Sequence, residues 1–101
     1  MDAILCTGCG KDLGDHTKRR AFLCISTMGD ERVLSWWCCD ACGVYTQEEY
    51  VDRFMGESYA RIFGPFAKDV GDADVARVAT CSRRTDKWCE CEVHKHFGSD
   101  M

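Results

Sequence analysis

The chain has 101 residues, a net charge of −4, 46% hydrophobic residues and nine cysteines. That length suits one small domain or two very small metal-held modules with a modest core, and the hydrophobic content excludes a compositionally disordered chain. The acidic balance argues against a dedicated nucleic-acid binder, which carries a basic footprint, and no stretch approaches the roughly 18 apolar residues of a membrane helix.

The opening, "MDAILCTGCG", has neither the basic n-region nor the apolar run of a signal peptide. A cytoplasmic location is therefore expected, where thiols stay reduced. Nine cysteines is also an odd number, which fits a closed set of disulfides poorly. Metal ligation is the better explanation.

"CTGCGK" (6–11) and "CDACGV" (39–44) are two Cys-x-x-Cys-Gly units with 29 residues between them. A tight turn between two cysteines points both sulfurs at one place, and the following glycine relieves crowding where backbone amides turn toward the thiolates. Two such knuckles supply a tetrahedral four-thiolate site from Cys6, Cys9, Cys39 and Cys42. Between them, "RAFLCIST" (20–27) and "RVLSWWC" (32–38) read as strands about the turn-like "MGDE". The order knuckle, strand, turn, strand, knuckle resembles a zinc ribbon over about residues 4–44. The same knuckles look like the iron-binding pair of rubredoxin, a resemblance that implies one-electron transfer at iron held by the same four cysteines. Here, however, the intervening segment carries a basic "KRR" and strand-forming residues instead of a proline- and glycine-rich loop, and Asp40 stands where rubredoxins usually have proline.

Neighbouring strand residues point to opposite faces, so Cys38 is expected to pack in the core while Cys39 binds metal. Cys24, between Leu23 and Ile25, reads as a small buried hydrophobe.

"TQEEY" (46–50) has the pattern of a capping box, with Thr46 as cap and Glu49 reaching back. Val51, Phe54, Met55, Tyr59, Ile62 and Phe63 recur at helical spacing, and Gly64–Pro65 supplies a stop. A helix over about 47–63 is expected, its stripe packed on the hairpin face that carries Phe22 and Trp36 or Trp37. A second helix is expected over 66–79, with Asp72 as N-cap and Gly71 breaking any longer run.

The tail "CSRRTDKWCECEVHKHFG" (81–98) gathers Cys81, Cys89, Cys91, His94 and His96. Three thiolates and one imidazole make a tetrahedral site that zinc favours. In an extended segment Cys89 and Cys91 share a face, and a turn through Glu92 and Val93 brings His94 back to them. His94 is preferred as ligand, with His96 as the alternative. A site without Cys81 would keep a water ligand, with Glu90 or Glu92 as base.

The expected architecture is a small metal-stabilised α+β body. It comprises a ribbon over 1–45, a helical segment over 46–79 and a second zinc-binding loop over 80–98. The expected function is a protein-interaction or adaptor module with two structural zinc ions and no enzymatic activity. It would display "HTKRR" (16–20), "SRRTDK" (82–87) or the acidic helix to a protein partner. The alternatives are a rubredoxin-like electron carrier, a nucleic-acid-binding ribbon, and an enzyme or metal-handling protein built on the C-terminal cluster.

Overall fold

The computed structural model describes residues 3–27, 30–53, 56–86, 89 and 91–98. Met28 and Gly29 of the expected turn, Phe54 and Met55 of the expected helical stripe, Lys87 of the second basic segment, and Glu90 lie outside the described residues.

Strands β1 (Ala21–Thr27) and β2 (Asp30–Cys38) form the expected antiparallel hairpin, with Leu23 opposite Leu34 and Ala21 opposite Trp36. Their period-two alternation sends Leu23, Ile25, Leu34 and Trp36 to one face, and Phe22, Ser35 and Trp37 to the other. Both tryptophans are buried, one on each side of the sheet.

The segment expected as a helix over 47–63 is instead two strands, β3 (Tyr45–Asp52) and β4 (Tyr59–Phe66), giving a four-stranded antiparallel sheet in the order β1-β2-β3-β4. Of the expected helical segment 46–79, only its last part is helical. Burial explains the difference. Glu48 and Glu49 resemble exposed acids of a first helical turn, yet both are buried because each has a partner brought to it by the tertiary fold. His16 Nε2 lies 2.7 Å from Glu48. Glu49 accepts from Arg32 Nε and from Arg61 Nε, each at 3.1 Å. Arg32 and Glu49 expose only 8% of their side chains, so removing Glu49 would strand the buried Arg32 guanidinium and cost about 3–5 kcal/mol, whereas Glu49 without Arg32 would keep Arg61. The presumed cap, Thr46, accepts through Oγ1 from the backbone N–H of Thr7 at 3.0 Å. Tertiary partners thus override a local helix signal. Gly64 and Pro65, read as a helix stop, lie inside β4 with a cis peptide bond between them.

Helix α1 (Lys68–Ala79) is the second expected helix, and α2 (Glu92–Gly98) ends the described chain. Asp72 is not the N-cap of α1, a position held by Ala67 without a side-chain hydrogen bond. It accepts instead from Tyr45 Oη at 2.6 Å and from Lys68 Nζ at 2.7 Å. Gly71 does not break the helix. It is buried there because the Tyr45 ring lies against it, and a Cβ would fall 2.1 Å from Tyr45 Cδ1.

The core fills the space between the Leu23/Trp36 face and the helices, with Val78 and Val93 buried and Phe97 edge-on to Trp36 at 5.4 Å. Phe22 shares its face with Trp37 and not with Trp36, and the helical stripe expected to pack on that face does not form because its residues lie in β3 and β4. The N-terminal segment covers the second face. Trp37 Nε1 donates to the Asp15 carbonyl at 3.1 Å, and the His16 ring meets Trp37 edge-on at 5.5 Å. The β1 edge is closed where Cys24 N–H donates to the Arg84 carbonyl at 2.8 Å. No helix among the described residues is long and apolar enough to cross a membrane.

Glycine to alanine inside a helix ordinarily stabilises by about 1 kcal/mol. For Gly71→Ala the sign reverses: the Tyr45 ring must move, and denaturant unfolding should show a loss of about 1–3 kcal/mol. A stabilised variant would mean that α1 does not seat on Tyr45.

Candidate metal centres

The two knuckles are built alike. In the first, Cys6 N–H donates to the Lys11 carbonyl at 2.8 Å and Gly10 N–H to the Cys6 carbonyl at 2.9 Å. In the second, Cys39 N–H donates to the Val44 carbonyl at 2.9 Å and Gly43 N–H to the Cys39 carbonyl at 2.8 Å. Gly10 and Gly43 have φ of 81° and 72°, the left-handed region in which a side chain is disfavoured. This is the local reason a glycine follows each second cysteine by one place. The first knuckle is fixed to the sheet through Thr7 and Thr46. The second grows directly out of the end of β2.

Together they bring the ligand atoms of Cys6, Cys9, Cys39 and Cys42 within 4.8 Å of one another. Cys6 Sγ lies 3.5 Å from Cys42 Sγ, and Cys9 Sγ 3.7 Å from Cys39 Sγ. Four sulfurs at about 2.3 Å from a tetrahedral metal stand about 3.8 Å apart, so the cluster has the dimensions of a loaded site. Cys6 and Cys39 are buried, while Cys9 and Cys42 are exposed. Cys38 is half-buried against the core, opposite Tyr45, and Cys24 is half-buried on β1.

The second cluster joins Cys81, Cys89, Cys91 and His94, again within 4.8 Å. Cys81 follows the end of α1, with its N–H donating to the Val78 carbonyl at 3.0 Å. A turn through 82–86 returns the chain to Cys89, whose N–H donates to the Asp86 carbonyl at 3.0 Å. Cys91 stands just before α2, and Lys95 N–H donates to its carbonyl at 3.0 Å. The stretch expected to be extended is therefore helical from Glu92 onward, and helical spacing selects the histidine. Residues three apart share a helix face, so His94 falls beside Cys91. His96 is exposed and lies edge-on to Phe97 at 4.9 Å.

His94 Nδ1 lies 3.2 Å from Cys91 Sγ and 3.5 Å from Cys81 Sγ, and those two sulfurs are 3.5 Å apart. A tetrahedral metal with sulfur at about 2.3 Å and nitrogen at about 2.05 Å places the two donor types about 3.6 Å apart. The imidazole is buried, and its Nε2 has no hydrogen-bond partner among the described residues. Nδ1 points at the Cys81 and Cys91 sulfurs, the direction from which a metal shared with them would be bound. The donor sets and spacings of both clusters fit a tetrahedral thiophilic ion. Glu92, weighed as a base, is exposed in the first turn of α2.

Amide donors poise one thiol in each cluster. Burial pushes the Cys6 thiol up, but the N–H groups of Cys9 and Gly8 and the thiols of Cys42 and Cys39 outweigh it and hold it down at about 6. Its donor Cys42 is pushed up to about 12. At the second cluster, burial raises Cys91, but the His94 N–H and imidazole, with Cys81 and Cys89, hold it at about 6. Cys81 is pushed up by burial. Each cluster therefore contains one thiol, Cys6 or Cys91, held in reach of ionisation near neutral pH, and metal binding to thiolates releases protons.

Compared with known proteins, the chain matches no family model, no curated protein and no solved structure. The likeness to a zinc ribbon accordingly rests on the paired knuckles and the hairpin between them. The pairing of buried Glu48 with His16, and of buried Glu49 with Arg32 and Arg61, was not legible from spacing. Both acids sit beside apolar residues in a pattern that also suits a helix.

Serine at Cys39 or Cys81 should each remove one metal equivalent per chain, read by native mass spectrometry. Cys24→Ser, Cys38→Ser and His96→Ala should remove none. A metal lost from Cys38→Ser would mean that the ligand at the β2 terminus is assigned to the wrong cysteine.

Proposed function

We propose that this chain is a small zinc protein whose two metal sites are structural, and that it works as a binding module rather than as an enzyme. The observation that supports this is the completeness of both ligand sets. Each cluster brings four soft protein ligands together, which leaves no coordination position for a substrate or an activated water. Zinc is the ion of choice for three or four thiolates with at most one imidazole. A ligand set made of free thiols also calls for a compartment that keeps them reduced.

The metals would act as cross-links. The first ties residues 6–9 to residues 39–42 and so fastens the N-terminal layer over Trp37. The second ties the end of α1 to α2, with ligands from residues 81 to 94. A domain of this size buries a limited core, and structural zinc contributes roughly 10–16 kcal/mol of apparent binding energy in small peptides. Folding and metal binding would then be one event.

A second reading is favoured by the exposed Cys9 and Cys42. An exposed thiolate edge suits electron exchange at a rubredoxin-like iron site, with the Gly8 N–H donating to Cys6 Sγ at 3.3 Å as one of the amides that would tune it.

Elemental analysis with a visible spectrum, on protein purified without added metal, separates the two. The scaffold reading expects about two zinc per chain, no colour, and loss of the folded far-ultraviolet and near-ultraviolet signals on chelation. Iron with a red colour that bleaches on reduction would replace it with electron transfer. Two zinc ions removable without unfolding would contradict a structural role.

A further inference from the structure

The two basic segments, 63 positions apart between Arg20 and Arg83 in sequence, meet on one ring. Arg19 Cζ lies 4.0 Å from the Phe22 ring centroid, and Arg84 Cζ lies 6.0 Å from the same centroid. Arg84 is held there by its own backbone, because its carbonyl accepts from Cys24 N–H on the β1 edge at 2.8 Å. Arg19 is held by its Nη1, which donates to Ser35 Oγ at 3.0 Å.

Around this ring is a cleft of about 330 Å³ whose walls include His16, Arg19, Arg20, Phe22 and Arg84, with no carboxylate among the described residues that line it. The nearby acid Glu48 is occupied by His16 at 2.7 Å. Arg20 also lines an adjoining cleft of about 420 Å³, together with Lys11 and Lys18 and with Asp12 and Asp40. Asp12 is engaged by Gly14 N–H at 2.7 Å, and Asp40 is 86% exposed and 3.9 Å from Arg20. Five cations, Lys11, Lys18, Arg19, Arg20 and Arg84, thus share this run of surface with two lining carboxylates, Asp12 and Asp40. That excess favours a further anion in a chain of net charge −4.

From this convergence we infer that the two clefts bind the phosphodiester backbone of single-stranded nucleic acid. Guanidinium groups pair with phosphate oxygens through a planar fork. Two clefts joined at Arg20 suit successive phosphates along one strand. The stacked Arg19, Phe22 and Arg84 offer flat guanidinium faces on which unpaired bases can lie. An acidic peptide could use the cations but would leave those faces idle, and the bases of a duplex are already stacked on one another. The net charge of −4 opposes long-range attraction, so binding should be confined to this face and steeply dependent on salt.

The inference rests on the proposed structural role of the metals, because each metal holds one of the two basic segments. The first knuckle leads into Lys11 and, by way of the His16–Lys18 turn, into Arg19 and Arg20. Cys81 and Cys89, both in the second cluster, bracket the turn that carries Arg84.

Fluorescence anisotropy with a labelled oligo(dT) of about twelve residues tests this, on metal-replete protein whose metal content and melting temperature are measured for every variant. The wild-type chain should bind at 50 mM salt, with a log–log salt slope of roughly −2 for three neutralised phosphates. Arg20→Glu and Arg84→Glu should each weaken binding about tenfold and reduce the slope by about 0.7. Arg53→Glu, beyond the end of β3, should change affinity less than twofold. No binding by the folded, metal-replete chain, or reversals at Arg20 and Arg84 that change affinity no more than Arg53→Glu does, would overturn the inference while leaving the scaffold intact. An oligoglutamate of equal charge that binds as tightly as oligo(dT) would also overturn it and make an acidic protein segment the ligand.

Discussion

Four cysteine sulfurs within 4.8 Å of one another can all ionise only around a cation. Burial opposes ionisation, but the amide and thiol donors that hold Cys6 at about 6 carry the first cluster part-way toward that charge state. A divalent metal would complete it, and on the scaffold reading the surrounding fold would depend on the result. Closure of the Cys6/Cys9 and Cys39/Cys42 knuckles sets the N-terminal segment against the sheet. That segment supplies the Asp15 carbonyl for Trp37, the His16 ring for Glu48, and the Thr7 N–H for Thr46. Without it, one tryptophan and two polar groups of the second sheet face would lose their cover.

The second cluster performs the corresponding task on the opposite face. Helix α1 is placed by Tyr45, which packs on Gly71 and donates to Asp72. Helix α2 has only seven residues, too few to persist through propensity alone. Its Val93 and Phe97 reach the core while its His94 reaches the sulfurs of the preceding loop, so packing and a shared metal would fix the same short element. The two ligand sets thus fasten one layer each to a central sheet, an economical arrangement for a chain with so little apolar surface to bury.

The two clusters of candidate ligands and the β1–β2 hairpin were legible because both obey short-range rules. Cysteine pairs with a following glycine announce a knuckle, and alternating aliphatic residues around a turn announce a hairpin. His94 over His96 was expected for a different reason from the one observed, since helical spacing rather than a turn in an extended chain brings it to Cys91. The third and fourth strands were not legible. In "YTQEEYVD" the alternation is hidden because both faces are buried at Tyr45, Thr46, Glu48 and Glu49, so the outward positions do not read as polar against an apolar inward face. The partners that make this tolerable, His16, Arg32 and Arg61, lie 12 to 32 residues away. Gly71 misled in the same manner. Its reason for being glycine is the Tyr45 ring, 26 positions earlier in the sequence.

The central claim is that both sites are closed by protein ligands alone, and X-ray absorption at the metal edge addresses it most directly. Averaged over a four-sulfur site and a three-sulfur, one-nitrogen site, each zinc should show between three and four sulfurs at about 2.3 Å and about half a nitrogen at about 2.0–2.1 Å. An imidazole scattering pattern should accompany that nitrogen. A clear light-atom shell of one or more oxygens per zinc, with fewer than three sulfurs, would mean an open site. That result would contradict the scaffold account and return the C-terminal cluster to chemistry.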